Sequence, residues 1–141
     1  MACTGIEFCK LAIVETKNRA MDLIDELEQR IPDFDAPVTI NVNGCPNSCA
    51  RIQTADIGLK GQLVPGADGA QVEGFQVHLG GALRGGDASG SGFGRKVRGL
   101  KTTAEGLPDY VERVLRRFQE NRQQDETFSQ WTLRASDEEL S

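Results

Sequence analysis

The stretch VTINVNGCPNSCAR, residues 38–51, joins an alternating segment to a pair of cysteines. Its first five residues, VTINV, are rich in β-branched side chains and alternate apolar with polar positions, which predicts a β-strand. This strand leads without a break into Cys45 and Cys49, so the fold is expected to present both thiols where the strand ends.

The residues that follow Cys45 predict a helix. Pro46 suits the first position of a helix, which makes Cys45 the expected N-cap and puts Asn47, Ser48 and Cys49 in the first turn. Unpaired backbone N–H groups and the positive end of the helix would then face both sulfurs and lower the pKa of their thiols.

Length and composition limit the fold and exclude several classes of function. The chain has 141 residues, of which 38% are hydrophobic and 26% are charged, as in a single globular domain with one modest core. A net charge of −5 argues against a nucleic-acid partner. The sequence has no apolar run of about 18 residues and no signal-peptide pattern, which argues against a membrane partner and for a cytoplasmic location.

The remaining pattern predicts helices and strands of an α/β (α+β) fold. Apolar spacing predicts one long helix over residues 5–31, with Cys9 on its buried stripe and Cys3 in the loop before it. Residues 55–63 and 72–79 predict a hairpin of two strands. The buried stripe of the helix is expected to contain Cys9, Ile13, Ala20, Ile24, Leu27 and Ile31.

A second amphipathic helix is predicted over residues 107–123, and Phe128 and Trp131 are expected to pack back on the core. His78, the only histidine, is expected to be a structural side chain rather than a metal ligand. The expected architecture is a mixed, mainly antiparallel sheet over residues 38–79, flanked by an N-terminal and a C-terminal helix.

The four cysteines form the pattern C-x5-C, a gap of 35 residues, then C-x3-C. Structural zinc sites favour pairs about two to four residues apart, a thioredoxin-like site requires C-x2-C, and a nucleophilic cysteine requires a paired histidine base. Four thiolates from two loop-to-helix junctions suit an iron–sulfur cube, with one ligand per iron. A zinc site is the second interpretation, and simple core packing of the cysteines is the third.

Two segments carry a family resemblance. CTGIEFCKLAIVETK (residues 3–17) and NGCPNSCARIQTADIGLKG (residues 43–61) are similar to the siroheme and [4Fe-4S] half of the assimilatory sulfite and nitrite reductases. The C-terminal FxxW-LRA pattern resembles the end of that family, so the resemblance covers essentially the whole chain. It implies an oxidoreductase, a nitrite/sulfite reductase 4Fe-4S domain-like fold over residues 1–141, and a [4Fe-4S] cluster and siroheme as cofactors.

The resemblance also implies roles for the individual cysteines. Cys3, Cys9, Cys45 and Cys49 would ligate the cluster, and the sulfur of Cys49 would also bridge to the siroheme iron. Such a shared thiolate would give electrons a short route for the six-electron reduction of sulfite to sulfide, or of nitrite to ammonia. Alanine and arginine after Cys49 resemble the sulfite-reducing members, so a sulfite reductase is expected, with a ferredoxin–nitrite reductase as the alternative.

A basic, glycine-rich segment at residues 80–99 offers contacts for the carboxylates of siroheme. Arg95 and Lys96 are the preferred candidates, because a glycine-rich backbone can approach a ligand closely and arginine pairs well with carboxylates. Asn47 is a further candidate for a cofactor contact. The alternative is a solvated basic loop. The other basic residues in or beside this segment are Arg84, Arg98 and Lys101.

The chain departs from the family at its N-terminus. Family members carry a long part before the first cluster cysteine, so this chain is expected to be a C-terminal segment whose partner is a missing N-terminal half or a companion chain. Nothing in it resembles a flavin or nicotinamide site, so a separate electron donor such as ferredoxin is expected. A non-catalytic iron–sulfur or zinc module is the alternative from a different class of function.

Overall fold

Within the residues that the structure describes, the fold consists of one four-stranded sheet and four α-helices. The structure, a computed structural model, describes residues 1–82 and 92–141. In these two ranges no helix is long and apolar enough to cross a membrane. In chain order the elements are α1 (Lys17–Arg30), β1 (Ile40–Asn43), a short 3₁₀ helix (Ile52–Thr54), β2 (Ile57–Pro65), β3 (Gln71–Leu79), β4 (Lys101–Thr103), α2 (Leu107–Asn121), α3 (Phe128–Arg134) and α4 (Asp137–Leu140).

The strands lie in the order β1-β2-β3-β4, with β1 and β2 parallel and the other neighbours antiparallel. β2 and β3 pair along their whole length, from Ile57 opposite Leu79 to Pro65 opposite Gln71, which confirms the hairpin. The mixed, mainly antiparallel sheet is likewise confirmed. β4 is absent from the sequence-based prediction, because three polar residues are too few to show an alternating pattern.

The hydrophobic core lies between one face of the sheet and the helices. Ile57, Leu59, Phe75 and Val77 are fully buried and share one face, because side chains alternate along a strand and opposed residues of paired strands point the same way. The helices complete the core with Leu23, Leu27, Leu107, Val111, Val114 and Phe118.

Phe118 is the centre of an aromatic cluster beneath α2 and α3. Its ring centroid lies 5.4 Å from that of Phe128, 5.7 Å from that of Trp131 and 6.3 Å from that of Phe34. Edge-on and tilted ring pairs of this kind add to the stabilisation from burial. The prediction that Phe128 and Trp131 pack back on the core is confirmed.

The long helix predicted over residues 5–31 is wrong in its first half. Gly5 adopts a left-handed backbone conformation with φ 82°. The backbone N–H groups of Ile13 and Val14 then donate to the carbonyl oxygen of Gly44 rather than to a helical carbonyl. Because these donors are committed to the end of β1, the chain between them and Gly5 forms turns, and the helix begins later.

The predicted buried stripe is confirmed at Leu27 and Ile31 but is wrong at other positions. Cys9 precedes the helix and does not share its face. Leu23 and Leu27 face the core, whereas Ile24, predicted to be buried, is 50% exposed.

Ion pairs link α1 to α2. Arg30, at the end of α1, contacts Asp109 and Glu112 of α2 at N–O distances of 2.6 and 3.2 Å. Arg116 contacts Glu112 at 2.9 Å, and Arg116 and Arg30 together hold the pKa of Glu112 below its ordinary value. Every described ion pair has a member on a helix or directly after one.

Phe118→Ala is expected to lower the free energy of unfolding by about 3–5 kcal/mol, because the change empties the centre of the aromatic cluster. Phe93→Ala is the matched control at a side chain that is 65% exposed, and its expected effect is below about 0.5 kcal/mol. Urea unfolding followed by circular dichroism measures both. Similar losses in the two variants would contradict the central role of Phe118.

Candidate functional site

The first residues of the chain run alongside β1. Ala2 forms a parallel bridge to Val42, and the backbone N–H of Cys3 donates to the carbonyl oxygen of Val42 at 3.0 Å. The hydroxyl of Thr16 donates to the carbonyl oxygen of Cys3 at 2.9 Å, and the backbone N–H of Gly44 donates to the Cys3 sulfur at 3.2 Å. The Cys3 thiol therefore lies beside the glycine that opens the second cysteine motif.

The segment that follows Cys9 packs onto the same glycine. The carbonyl oxygen of Gly44 accepts from the backbone N–H groups of Ile13 and Val14, at 2.7 and 3.3 Å. A Cβ atom at Gly44 would lie 3.1 Å from both the Cβ of Ala12 and the carbonyl oxygen of Val14. Glycine at this position thus lets the N-terminal loop close over the second cysteine motif.

Residues 44–51 form a loop, and the helix predicted to begin at Pro46 is wrong. Ser48 and Arg51 have left-handed backbone conformations, with φ 59° and 54°, which an α-helix of L-residues does not continue through. Helical structure appears only in the short 3₁₀ turn after Arg51. Cys45 is therefore not an N-cap, and no helix end acts on its thiol.

All four cysteines are free thiols: Cys45 is buried, Cys3 and Cys9 are half-buried, and Cys49 is exposed. Among residues 1–82 and 92–141, no three His, Cys, Asp or Glu side chains are grouped so that they could hold one metal ion. A cube binds each thiolate to a different iron, so its ligands stand further apart than those of a single ion. Four thiols from two segments that meet at Gly44 supply the donor set of an iron–sulfur cube, which takes one thiolate per iron.

The sheet face opposite the core is polar and basic. Opposed residues on paired strands share a face, and the register sets Lys60 against Gln76 and Gln76 against Lys101. His78 lies two residues along β3 and so points the same way. Asn43 of β1 pairs with Lys60, which puts the start of the second cysteine motif at the edge of this surface.

Two lysines lie close enough to His78 to affect its pKa. The imidazole is half-buried, and within the described ranges its Nε2 atom has no hydrogen-bond partner. Burial lowers the pKa of His78, and the positive charges of Lys60 and Lys96 lower it further. Neither lysine forms an ion pair with any part of the chain that the structure describes. We call Lys60, His78, Lys96 and Lys101 the basic face.

Arg95 is engaged within the chain. Its Nη1 donates to the carbonyl oxygens of Thr132 and Ala135, both at 3.0 Å, and its Nη2 pairs with Asp137. These contacts anchor the C-terminal tail to the edge of the sheet. A contact of Arg95 with a cofactor carboxylate stays a prediction.

Lys96 and Asn47 are both exposed, and their predicted cofactor contacts stay predictions as well. The structure brings Lys96 to His78, whereas Asn47 lies at the tip of the cysteine loop. Arg84 lies outside the described residues.

Three residues that shape the site are absent from the sequence-based candidates. Thr16 and Asn43 are fully buried and bond to the backbone of the two cysteine segments, and Lys60 lies in the basic face. A polar residue at the end of a strand and next to a cysteine motif was the available signal for Asn43. The contact of Thr16 requires the tertiary fold and has no local signal.

Two cysteine segments that meet at Gly44, beside a basic face, are the features of a domain that binds an anionic redox cofactor. Residues 1–140 match the family model described as the nitrite and sulphite reductase 4Fe-4S domain, and the chain belongs to this family.

Individual relatives show which members of the family the chain resembles. The protein named sulfite reductase [ferredoxin] 1 from Mycolicibacterium paratuberculosis is 57% identical, over 99% of this chain and 25% of the relative. The solved structure of the Mycobacterium tuberculosis NirA protein matches with a TM-score of 0.90 and 54% identity, over 100% of this chain and 26% of that one. The ferredoxin–nitrite reductase of Leptolyngbya laminosa is 51% identical over 59% of this chain and 16% of the relative. The chain thus spans about a quarter of the length of the sulfite reductases that it matches.

Stability is expected to fall as the pH drops from about 7.5 to about 5.5, because the unfolded chain protonates His78 near its ordinary pKa of 6.5 while the folded chain resists protonation. His78→Gln removes the only histidine, so its stability is expected to change less over this interval. Urea unfolding at both pH values tests this. The acidic groups with lowered pKa values titrate below this interval, and an equal pH effect in both proteins would contradict the prediction.

Proposed function

We propose that this chain is the segment of a ferredoxin-dependent sulfite reductase that binds a [4Fe-4S] cluster and siroheme. The whole enzyme would deliver six electrons to sulfite and release sulfide. The observation that carries the proposal is the meeting of two cysteine segments at Gly44, whose N–H donates to the Cys3 sulfur and whose carbonyl accepts from the segment after Cys9. The names of relatives that cover 99% of the chain support the choice of sulfite.

The proposed cluster ligands are Cys3, Cys9, Cys45 and Cys49. The N–H of Gly44 donates to the Cys3 sulfur at 3.2 Å, and burial of Cys45 excludes water from that side of the site. Exposure of Cys49 leaves its sulfur accessible, which supports its proposed bridge to the siroheme iron. When bound, the cluster and siroheme supply one-electron reduction at the iron that holds the substrate.

The basic face is the proposed site for siroheme carboxylates. Lys96 and Lys101 are exposed, and Lys60 is half-buried on the same surface. Their charges, without an ion-pair partner in the described ranges, would attract carboxylates. Asn47 is proposed as a further contact from the cysteine loop. Arg95 is the weaker candidate, since its guanidinium already holds the C-terminal tail.

A nitrite reductase is the alternative function, with the same proposed cofactors and ammonia as product. The nitrite reductase of Leptolyngbya laminosa matches 59% of the chain, which favours this alternative. Sulfite reductases match over 99% of the chain at higher identity, so we propose sulfite.

The remainder of the enzyme is proposed to be an N-terminal half or a companion chain that covers the N-terminal segment. Relatives are about four times as long as this chain. Several large apolar side chains near the N-terminus are exposed, as expected of a surface that another segment covers. The electron donor would be a separate ferredoxin, and the free thiols support a reducing, cytoplasmic compartment. The exposed side chains are Ile6, Phe8, Leu11, Met21 and Ile24.

Anaerobic reconstitution of the purified chain with iron and sulfide is expected to yield about four irons and about four acid-labile sulfides per chain, with broad visible absorption. Cys9→Ser and Cys45→Ser are expected to lose most of both, because each removes a thiolate ligand. Ser48→Ala is the control, because it changes the same loop but no proposed ligand. Iron and sulfide contents that stay unchanged in the serine variants would contradict the ligand assignment.

Sulfite reduction by the isolated 141-residue chain is expected to be negligible even after it has been loaded with both cofactors, because no acid–base or substrate-binding group is assigned to it. Consumption of reduced donor with sulfite, and separately with nitrite, measures this. Robust turnover would show that the chain needs no further segment and would overturn this part of the proposal. A preference for nitrite would favour the alternative function.

A further inference from the structure

Asn43, the last residue of β1, has a fully buried side chain that contacts both ends of the second cysteine loop. Its Nδ2 donates to the carbonyl oxygen of Cys45 at 2.7 Å and lies 4.0 Å from the Cys45 sulfur. Its Oδ1 accepts from the backbone N–H of Ala50 at 2.8 Å. A single amide therefore joins the first residue of the loop to the residue directly after Cys49.

The loop depends on these hydrogen bonds because its backbone is irregular. Cys45 and Ala50 are 5% and 1% exposed, so water cannot readily replace the amide. Among the described residues, the carbonyl of Cys45 and the N–H of Ala50 have no other hydrogen-bond partner. Buried backbone groups that lose their partners are strongly unfavourable, so loss of the amide should open the loop.

We propose that Asn43 is a positioning residue that holds the cysteine loop (residues 45–49) in the conformation that binds the cluster. This inference rests on the proposed function. The amide takes the place of the hydrogen bonds that a helix would have supplied after Pro46. Its N–H also points positive charge towards the Cys45 sulfur, which stabilises a reduced, more negative cluster and so raises its reduction potential.

Asn41 provides a matched control on the same face of the same strand. Its side chain is 9% exposed and donates to the carbonyl oxygen of Arg51 at 3.3 Å. Asn41→Leu therefore removes a buried amide from β1 without removing a contact to Cys45 or Ala50. Any difference between changes at the two positions reports on the cysteine loop rather than on the strand.

The first experiment measures thiol reactivity in the reduced, metal-free 141-residue chain. Brief treatment with iodoacetamide, followed by mass spectrometry, gives the alkylation rate of each cysteine in wild type, Asn43→Asp, Asn43→Leu and Asn41→Leu. Asn43→Asp keeps the acceptor for Ala50 and loses the donor to Cys45. Both changes at Asn43 are expected to raise the Cys45 rate at least about fivefold, because local opening becomes easier. The Cys9 rate is expected to stay within about twofold.

The outcomes distinguish a local role of Asn43 in the cysteine loop from a general role in folding. Equal acceleration at Cys9 and Cys45, or equal acceleration of Cys45 in Asn41→Leu, would overturn the proposal, since either result means that Asn43 only supports folding. If Asn43→Leu does not fold, Asn43→Asp decides by the same comparison. If Asn43→Asp is also unfolded by circular dichroism, all cysteines react alike and the local role is wrong.

A second readout uses the reconstituted protein. Asn43→Asp is expected to lower the cluster's reduction potential and to change its electron paramagnetic resonance spectrum, whereas Asn41→Leu leaves both as in wild type. Unchanged spectra and potential in Asn43→Asp would overturn the electrostatic part of the proposal. If wild type takes up no iron at all, the proposed function fails, while the alkylation comparison still decides the role of Asn43 in the loop.

Discussion

The backbone of Gly44 holds the N-terminal segment against the end of β1, and the arrangement of the site depends on this contact. Its N–H reaches the Cys3 sulfur, and its carbonyl accepts two backbone donors from the segment after Cys9. Cysteines 36 positions apart along the chain, Cys9 and Cys45, are thereby drawn into one region. The same hydrogen bonds delay the start of α1, because Ile13 and Val14 cannot donate to helical carbonyls at the same time.

The sheet separates two chemical environments. One face carries fully buried aliphatic and aromatic residues against the helices, and the other carries amides and lysines. Close packing on the polar face requires a glycine at Gly58, since a Cβ there would lie 1.9 Å from the carbonyl oxygen of Ile52. The 3₁₀ turn can therefore lie directly on the strand and carry the cysteine loop with it. A redox site on the polar face is supported by the core behind the sheet, while the apolar side chains of the core stay on the other face.

Periodicity in the sequence predicted most of the fold, because α2, the hairpin and the buried Trp131 each have strong local patterns. It failed where specific hydrogen bonds or backbone conformations override local preference. Residues 5–16 have helical spacing, yet their donors bond to Gly44. Pro46 suits a helix start, yet the left-handed conformation of Ser48 and the side chain of Asn43 direct the loop elsewhere. The cysteine pattern identified the candidate site. Asn43 lies next to this pattern, but the contact of Thr16 with Cys3 joins residues 13 positions apart and has no local signal.

The distribution of charge has a consequence for how salt acts on the protein. The ion pair between α1 and α2 is largely exposed and contributes little to stability, so its screening by salt matters little, whereas the basic face carries charge that extends into solvent. Raising the ionic strength should therefore slow the capture of an anionic molecule at this face while leaving the folded state nearly unaffected. Binding of such an anion is thus more sensitive to ionic strength than is the fold that carries the basic face.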